Sequence, residues 1–180
     1  MSNIEKSIKK LEMVNQWISN CDTKSSFILT FYGVIITIIF TSSTRDDIVD
    51  TLHLSVADKI NLKSIILFTS LILVLAFMFS IAATGFYILQ TLKGRIDPEV
   101  YRQQCLNTNS NIFFGTIASK AFATFKKETN EEDEDAYLND INSQIFINSK
   151  IATEKFKNYN SSLFWMVISF AMFLLYALTK

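Results

Sequence analysis

The chain has 180 residues, 49% of them hydrophobic, and it contains 16 Phe but only 4 Gly and 1 Pro. So few helix breakers in so apolar a chain favour a small helical membrane protein over a sheet-rich domain. The 17 basic and 17 acidic residues cancel, so no overall field indicates a nucleic acid polymer as partner. Cys21 and Cys105 form neither a C-x-x-C motif nor a Cys/His cluster, and we expect no metal and no other cofactor.

Residues 1–24 are predicted to form an amphipathic helix in the cytoplasm. Apolar residues recur there at the helical period, with lysines on the opposite side. The apolar stripe consists of Ile4, Ile8, Leu11, Val14, Ile18 and Cys21. The stripe is modest and Trp17 lies near its membrane end, so packing on other aqueous helices is favoured over lying flat on a membrane.

Three segments without a charged residue are long enough to cross a bilayer. They are residues 25–44, 64–92 and 158–179, and each reaches the about 20 residues that a helix needs to span the hydrocarbon core. The first follows a polar stretch with three acidic residues and no small-residue cleavage site, which argues against a signal peptide. The predicted fold is therefore all-α, an integral membrane protein with three transmembrane helices.

Basic residues predict the orientation of these spans. Four lie in residues 1–24 and nine in residues 93–157, against three in the short connection 45–63. The positive-inside rule then places the two richer segments in the cytoplasm and the connection outside. The amino terminus is predicted to be cytoplasmic and Lys180 to lie outside.

Residues 93–157 are predicted to form a small cytoplasmic helical bundle. Asp97-Pro98-Glu99 is typical of a helix start, because Asp caps well and Pro suits the first turn. A second helix is expected to begin near Asn111 and to fade in the acidic run 131–135, which lacks the spacing of a calcium loop and is interpreted as a solvated turn or helix start. Its expected apolar side consists of Phe113, Ile117, Phe122 and Phe125.

The third helix is the central prediction of the sequence. Residues 139–178 contain no Pro or Gly and change from an amphipathic pattern into the last apolar segment. One unbroken helix from Asp140 to Leu178 is therefore expected. Such a helix would join the cytoplasmic bundle directly to the membrane.

Catalytic motifs are absent, and we do not expect an enzyme. The one histidine, His53, lies in the connection predicted to be outside, and the sequence has no G-x-S-x-G, no Gly-rich phosphate loop and no H-E-x-x-H. The three spans carry no ionisable side chain, which argues against a proton relay or ion-coupled transport.

Small residues recur on one face of each of the first two spans, a pattern that permits close helix approach in lipid. The faces consist of Gly33, Thr37 and Thr41 in the first span and Ala76, Ser80 and Thr84 in the second. For either face alone, packing within the chain is the favoured interpretation. Three spans have limited means of covering both, so a homo-oligomer is also expected.

Four short motifs, in this order around three apolar segments, resemble the Pycsar effector transmembrane domain. They are Trp17-x4-Asp22-Thr23-Lys24, Phe113-Phe114-Gly115, Asp140-x3-Gln144-Ile145 and Ile151-x3-Lys155-Phe156. The resemblance covers nearly the whole chain. It implies a bacterial inner-membrane effector of anti-phage defence that acts with a nucleotide cyclase to impair the membrane. The best-known members also carry a separate cyclic-nucleotide-binding domain, for which these residues leave no room, so sensing would fall to the helical part or to a partner.

Two interpretations of the charged membrane boundary stay open. Lys24, Lys155 and Lys157 would either reach lipid phosphates and fix the topology, with Asp22 and Asp140 as helix caps or lysine partners. Alternatively, the resemblance implies a cyclic nucleotide or cyclic oligonucleotide site. The residues assigned to that site are Lys24, Lys155 and Arg102 for the phosphate and Gln144 or Tyr101 for the base. A scaffolding subunit that recruits a partner and a holin-like toxin without ligand are the alternative functions.

Overall fold

The computed structural model describes residues 1–41, 44–52, 62–94 and 98–179, and the predictions for His53 and Asp97 lie outside them. The elements are α1 (Asn3–Thr41), α2 (Thr44–Leu52), α3 (Leu62–Lys93), a short 3-10 helix (Pro98–Arg102), α4 (Phe114–Ser119), α5 (Phe122–Glu131) and α6 (Glu134–Ala177). All regular structure in the described ranges is helical. α1, α3 and α6 are each long and apolar enough to cross a membrane. The predicted all-α fold with three transmembrane helices is confirmed.

The chain forms two compact units. We call Met1–Asp22 with Gly94–Phe156 the polar unit, and Thr23–Lys93 with Lys157–Lys180 the apolar unit. α1 and α6 each contribute residues to both units. The other described helices belong to one unit only, α2 and α3 to the apolar unit and α4 and α5 to the polar unit.

Within the apolar unit, the order of contacts gives the direction of the three long helices. On α1 and α6, Tyr32 meets Ser169 through a 2.8 Å hydrogen bond between their hydroxyl groups. Farther along both helices, Ile39 and Tyr176 share one core cluster, so α1 and α6 run parallel. Between α3 and α6 the order is reversed. Ser70 contacts Thr179, Phe77 contacts Phe173 and Phe79 contacts Trp165. The helices therefore alternate in direction, as three successive crossings of a membrane require.

The connection 45–63 holds a helix that the sequence analysis missed. α2 occupies Thr44–Leu52, and two acidic residues in its first turn favour the positive end of the helix. Ile48 and Thr51 are 2% and 1% exposed, and the Thr51 hydroxyl lies 3.2 Å from the Tyr176 hydroxyl. These contacts with distant residues place part of the connection in the core, which local charge alone does not indicate.

In the polar unit, the first part of α1 packs beside α6. Ser7 donates a hydrogen bond to Asn142 Oδ1 at 3.1 Å, and Asn148 Nδ2 donates to Asn15 Oδ1 at 2.8 Å. The partners advance together along both helices, so this pair is also parallel. The predicted apolar stripe is buried or half-buried throughout. This agrees with the prediction that the first part of α1 packs on another helix rather than on the membrane surface.

Two helices predicted for residues 93–157 differ from the structure. The first is only the 3-10 helix Pro98–Arg102, and Cys105, at φ 65°, has a left-handed backbone that a right-handed helix cannot contain. The second begins at Phe114 rather than Asn111, and it is interrupted at Lys120, whose ψ of 147° is extended. Phe113 and Phe122 are 41% and 77% exposed, so their assignment to a buried apolar side was wrong.

The central prediction of a continuous helix is confirmed. α6 runs from Glu134 to Ala177 without a break. Its start lies in the acidic run, where the Asp133 carboxylate accepts the backbone N–H of Ala136 at 2.7 Å. A carboxylate at this position satisfies one of the unpaired donors of the first turn and favours the positive helix end.

Candidate functional site

A buried carboxylate on α6 organises the loop before α4. Asp140 is 0% exposed, and its Oδ2 accepts the Ser110 hydroxyl at 3.0 Å and the backbone N–H of Asn111 at 2.7 Å. The Ser110 oxygen in turn accepts the backbone N–H groups of Ile112 and Phe113 at 3.1 and 2.9 Å. Asp140 therefore fixes a loop rather than capping a helix or pairing with a lysine, the two roles considered from sequence.

Beside this loop lies a cavity of about 110 Å³ in the polar unit. It is lined by Tyr101, Asn107, Thr108, Ser110, Phe113, Thr116, Gln144, Ile147, Asn148 and Ile151. The volume is below the roughly 300–1,000 Å³ of pockets that enclose a whole drug-sized ligand. The cavity therefore suits one ring of a ligand, with the remainder outside.

Gln144 gives the cavity its chemical character. Gln144 is 6% exposed, and it lines the cavity. An amide offers both a donor and an acceptor, as the edge of a nucleobase does. Tyr101 also lines the cavity, so the structure places the two residues predicted to read a base around the same space.

Lys155 does not line this cavity. It is 5% exposed, and its Nζ donates to Asp22 Oδ1 at 2.5 Å. Gly94, at φ 56°, makes room for the lysine, since a Cβ there would lie 2.5 Å from Lys155 Cε. Of the two interpretations of the boundary charges, the contacts favour Asp22 as a lysine partner.

The contact between Asp22 and Lys155 joins the first and the last of the four sequence motifs. One turn from the ion pair, the Trp17 ring packs edge-on against Phe156 with ring centroids 6.1 Å apart. Trp17 and Asp22 come from the first motif, while Phe156 and Lys155 come from the last. Residues that are far apart in sequence thus form a single contact between α1 and α6 within the polar unit.

The remaining predicted phosphate ligands lie elsewhere. Arg102 is exposed and pairs with Glu99 at 2.7 Å. Lys24 is exposed and belongs to the apolar unit. No Lys or Arg is among the residues that line the cavity, so the structure brings Gln144 and Tyr101 together there and leaves the residues predicted to bind the phosphate outside it.

Lys120 is a structural residue that the sequence analysis missed. Its side chain is 7% exposed and pairs with Glu128 at 2.8 Å. Its Nζ also donates to the carbonyl of Asn109 at 3.2 Å and to Asn111 Oδ1 at 2.7 Å. One feature of the sequence indicates this structural role: Lys120 is the single charged residue between Asn111 and Lys126. Lys120 Nζ also lies 3.4 Å from the carbonyl of Ser110, a residue that lines the cavity.

The two small-residue faces of the apolar unit differ in their surroundings. Ser80 and Thr84 are 0% exposed and Ala76 is half-buried, so this face packs within the chain. Gly33 and Thr37 are exposed, and a Cβ added at Gly33 would meet nothing within 4 Å. The face on α1 is open, whereas the face on α3 is filled.

Across the residues with described positions, no group of three or more His, Cys, Asp or Glu side chains could hold a metal ion.

Comparison with known proteins supplies the family. No solved structure matches this chain. The chain is 36% identical over 175 residues to the Pycsar effector protein GmPycTM of Gulbenkiania mobilis, an alignment that covers 95% of this chain and 89% of that relative. A family model described as the Pycsar effector protein domain, PycTM, matches residues 7–180, from the first part of α1 to the end of the chain. With its three membrane-spanning helices and this match, the chain belongs to the Pycsar effector protein domain family.

Proposed function

We propose that this protein is an anti-phage effector of the bacterial inner membrane that permeabilises or depolarises the membrane in response to a cyclic nucleotide from a companion cyclase. It acts by binding and assembly and not by catalysis. One observation carries the proposal: Gln144, which is 6% exposed, lines a cavity and stands on α6, the helix that also contains the third span. Family membership supports the effector class.

The cavity favours a ligand that inserts one base. Gln144 would pair with the base edge and Tyr101 would stack on its face, while the charged phosphate stays outside a cavity that contains no cation. A ligand can shift the protein only by the difference between its affinities for the resting and active states. An affinity difference of about 5.5 kcal/mol converts a population with 1% in the active state into one with 99% in the active state. Several subunits that each bind one nucleotide reach this total more readily than a single subunit does.

The first experiment replaces the amide. Gln144→Leu removes both hydrogen-bonding groups, each worth about 0.5–1.5 kcal/mol, so the nucleotide concentration for half-maximal dye release should rise by about 5-fold to 150-fold. The assay uses liposomes that contain the full chain, with the four 3′,5′-cyclic mononucleotides added one at a time. Gln103→Leu makes the same change at an exposed position and should leave the response unchanged.

Other results of this assay separate the alternative functions. Equal nucleotide sensitivity of Gln144→Leu and the parent chain would exclude the cavity as the binding site. Dye release that needs no nucleotide would support the holin-like alternative. Absence of release under all conditions, with the protein fully inserted, would support a scaffolding subunit.

The proposed topology places the amino terminus in the cytoplasm. Reporter fusions after residue 10, within residues 45–63 and after Lys180 should read inside, outside and outside. The last two should agree because Thr51 on α2 and Ser70 near the start of α3 contact Tyr176 and Thr179 of the carboxyl-terminal end. An inside signal after Lys180 would contradict the three-span topology.

The open face of α1 is the proposed contact between copies. Gly33→Ile should reduce assembly and membrane damage without disturbing the monomer, because the added side chain meets open space. Contacts of this kind are worth about 1 kcal/mol each, and the loss recurs at every interface. Ala82→Ile adds a similar bulk at an exposed position of α3 and serves as the control. Crosslinking and depolarisation equal to those of the control would exclude this face.

Ser80→Ile tests a different property, although the sequence groups it with Gly33. Ser80 is 0% exposed, so isoleucine there overpacks the apolar unit, at a cost of about 1–3 kcal/mol. We expect this variant to lose folding stability rather than assembly alone. Only Gly33→Ile is therefore informative about the interface.

A further inference from the structure

A second amide of the cavity, that of Asn148, is bound by a residue of α1. Asn148 follows Gln144 by four residues, so both lie on the same side of α6 and both line the cavity. The Nδ2 of Asn148 donates a hydrogen bond to Asn15 Oδ1 at 2.8 Å. The residues that line the cavity come from 101–116 and from α6, so Asn15 reaches the site through Asn148. All of these residues belong to the polar unit.

This pair of asparagines lies between two other contacts of α1 with α6. Before it along both helices, Ser7 donates to Asn142 Oδ1 at 3.1 Å. After it, the Trp17 ring packs edge-on against Phe156. Both asparagines of the pair stand inside long helices, where an asparagine side chain is unfavourable because it competes for backbone hydrogen bonds. Their contribution is therefore the contact between the two amides rather than helix stability.

The hydrogen bond gives the Asn148 amide a direction. A primary amide has donors on its nitrogen and an acceptor on its oxygen. A rotation of Asn148 alone that exchanged Nδ2 and Oδ1 would set its oxygen against Asn15 Oδ1, and the bond between the two residues would be lost. The side chain at position 15 therefore determines how the donor and the acceptor of Asn148 are arranged at the cavity wall.

We propose, on the basis of the proposed function, that Asn15 is a positioning residue of the nucleotide site, which determines through Asn148 which base the cavity prefers. Bases of equal ring size present opposite groups at one position. Cytosine has an amino donor where uracil has a carbonyl acceptor, and adenine has an amino donor where guanine has a carbonyl acceptor. A reversed Asn148 amide would therefore favour the other member of each pair.

Exchange of the acceptor at position 15 for a donor tests this role. Asn15→Asp keeps only an acceptor, whereas Asn15→Lys supplies only donors. Calorimetry measures binding of the four 3′,5′-cyclic mononucleotides to the full chain in detergent micelles. The ratio of the Kd values for the preferred base and its counterpart of equal ring size should shift by about fivefold toward the counterpart in Asn15→Lys. The ratio should stay unchanged in Asn15→Asp.

Two controls separate positioning from charge and from folding. All four nucleotides carry the same charge, so the ratio does not respond to added charge alone, and Gln16→Lys at the next exposed position should leave it as in the parent chain. In a chain that carries Asn148→Ala, Asn15→Lys should no longer move the ratio. Asn15 is exposed, so thermal unfolding of its variants should match that of the parent.

The outcomes distinguish this role of Asn15 from the proposed function itself. An unchanged ratio in Asn15→Lys, while Gln144→Leu still weakens binding, would overturn the role of Asn15 and keep the cavity as the binding site. A shift that persists with Asn148→Ala would overturn it as well. If Gln144→Leu binds all four nucleotides as the parent chain does, or if the parent binds none, the proposed function fails together with this role.

Discussion

Insertion of Gly-Gly-Pro after Lys157 should abolish the response of membrane potential to the companion cyclase while the protein still enters the membrane. Lys157 lies inside α6, which is one helix from Glu134 to Ala177. Proline removes a backbone donor and costs about 3 kcal/mol in a helix interior, and each glycine costs about 1 kcal/mol more. A displacement of the helical turn that contains Gln144 would then no longer be transmitted to the third span through a continuous hydrogen-bonded backbone.

A single substitution tests whether the signal needs an unbroken α6, without any change in the length of the chain. Asn158→Pro breaks the helix without added residues, and Asn158→Ala keeps both helix and length. Membrane potential is recorded with and without the cyclase, and protease accessibility verifies insertion. If Asn158→Pro and the insertion variant respond as Asn158→Ala does, the signal does not pass along α6.

Asp22→Asn should destabilise the polar unit although it changes the side-chain volume very little. It removes the carboxylate that neutralises Lys155, which is 5% exposed. Loss of one partner of a buried charge pair costs about 3–5 kcal/mol, but the Asp22 side chain is 40% exposed, and screening by water reduces the expected cost to about 1–3 kcal/mol. Thermal unfolding in detergent micelles, followed by circular dichroism, measures this loss.

A double-mutant cycle isolates the pair. Lys155→Met should cost less than Asp22→Asn, because the remaining carboxylate reaches water. The double variant should be more stable than the sum of the single effects predicts, as expected for residues in contact. Lys24→Met removes a positive charge from the exposed surface of the same helix as a control. An Asp22→Asn variant as stable as Lys24→Met would mean that the ion pair contributes nothing to the fold.

Lys155→Ala, compared with Asp22→Asn, distinguishes the two interpretations of Lys155. A phosphate ligand would make Lys155→Ala lose nucleotide sensitivity at unchanged stability. A structural lysine would make it lose stability, with Asp22→Asn showing the same defect. The contact of Lys155 with Asp22 and Gly94 leads us to expect the second result.

The sequence by itself determined the features that depend on neighbouring residues. The three apolar segments predicted three membrane helices, because the length and hydrophobicity of a segment are local properties. The absence of Pro and Gly from 139–178 predicted the unbroken α6 for the same reason. The 3.6-residue stripe from Ile4 to Cys21 predicted which side of α1 is covered, since helical periodicity fixes the face before any partner is known.

Only the tertiary structure decided which residues meet. Asp22 and Lys155 are 133 positions apart, and no pattern in either motif chooses that pairing over a lipid or a nucleotide phosphate. Gly33 and Ser80 belong to similar small-residue faces, yet only Ser80 is buried, because burial depends on where α3 lies beside its neighbours. Likewise, the loop beside the cavity at Gln144 is bound to α6 by Asp140, which lies 29 positions from its partner Asn111. Such contacts depend on the whole packing arrangement, so local sequence leaves several partners equally suitable and the fold selects one.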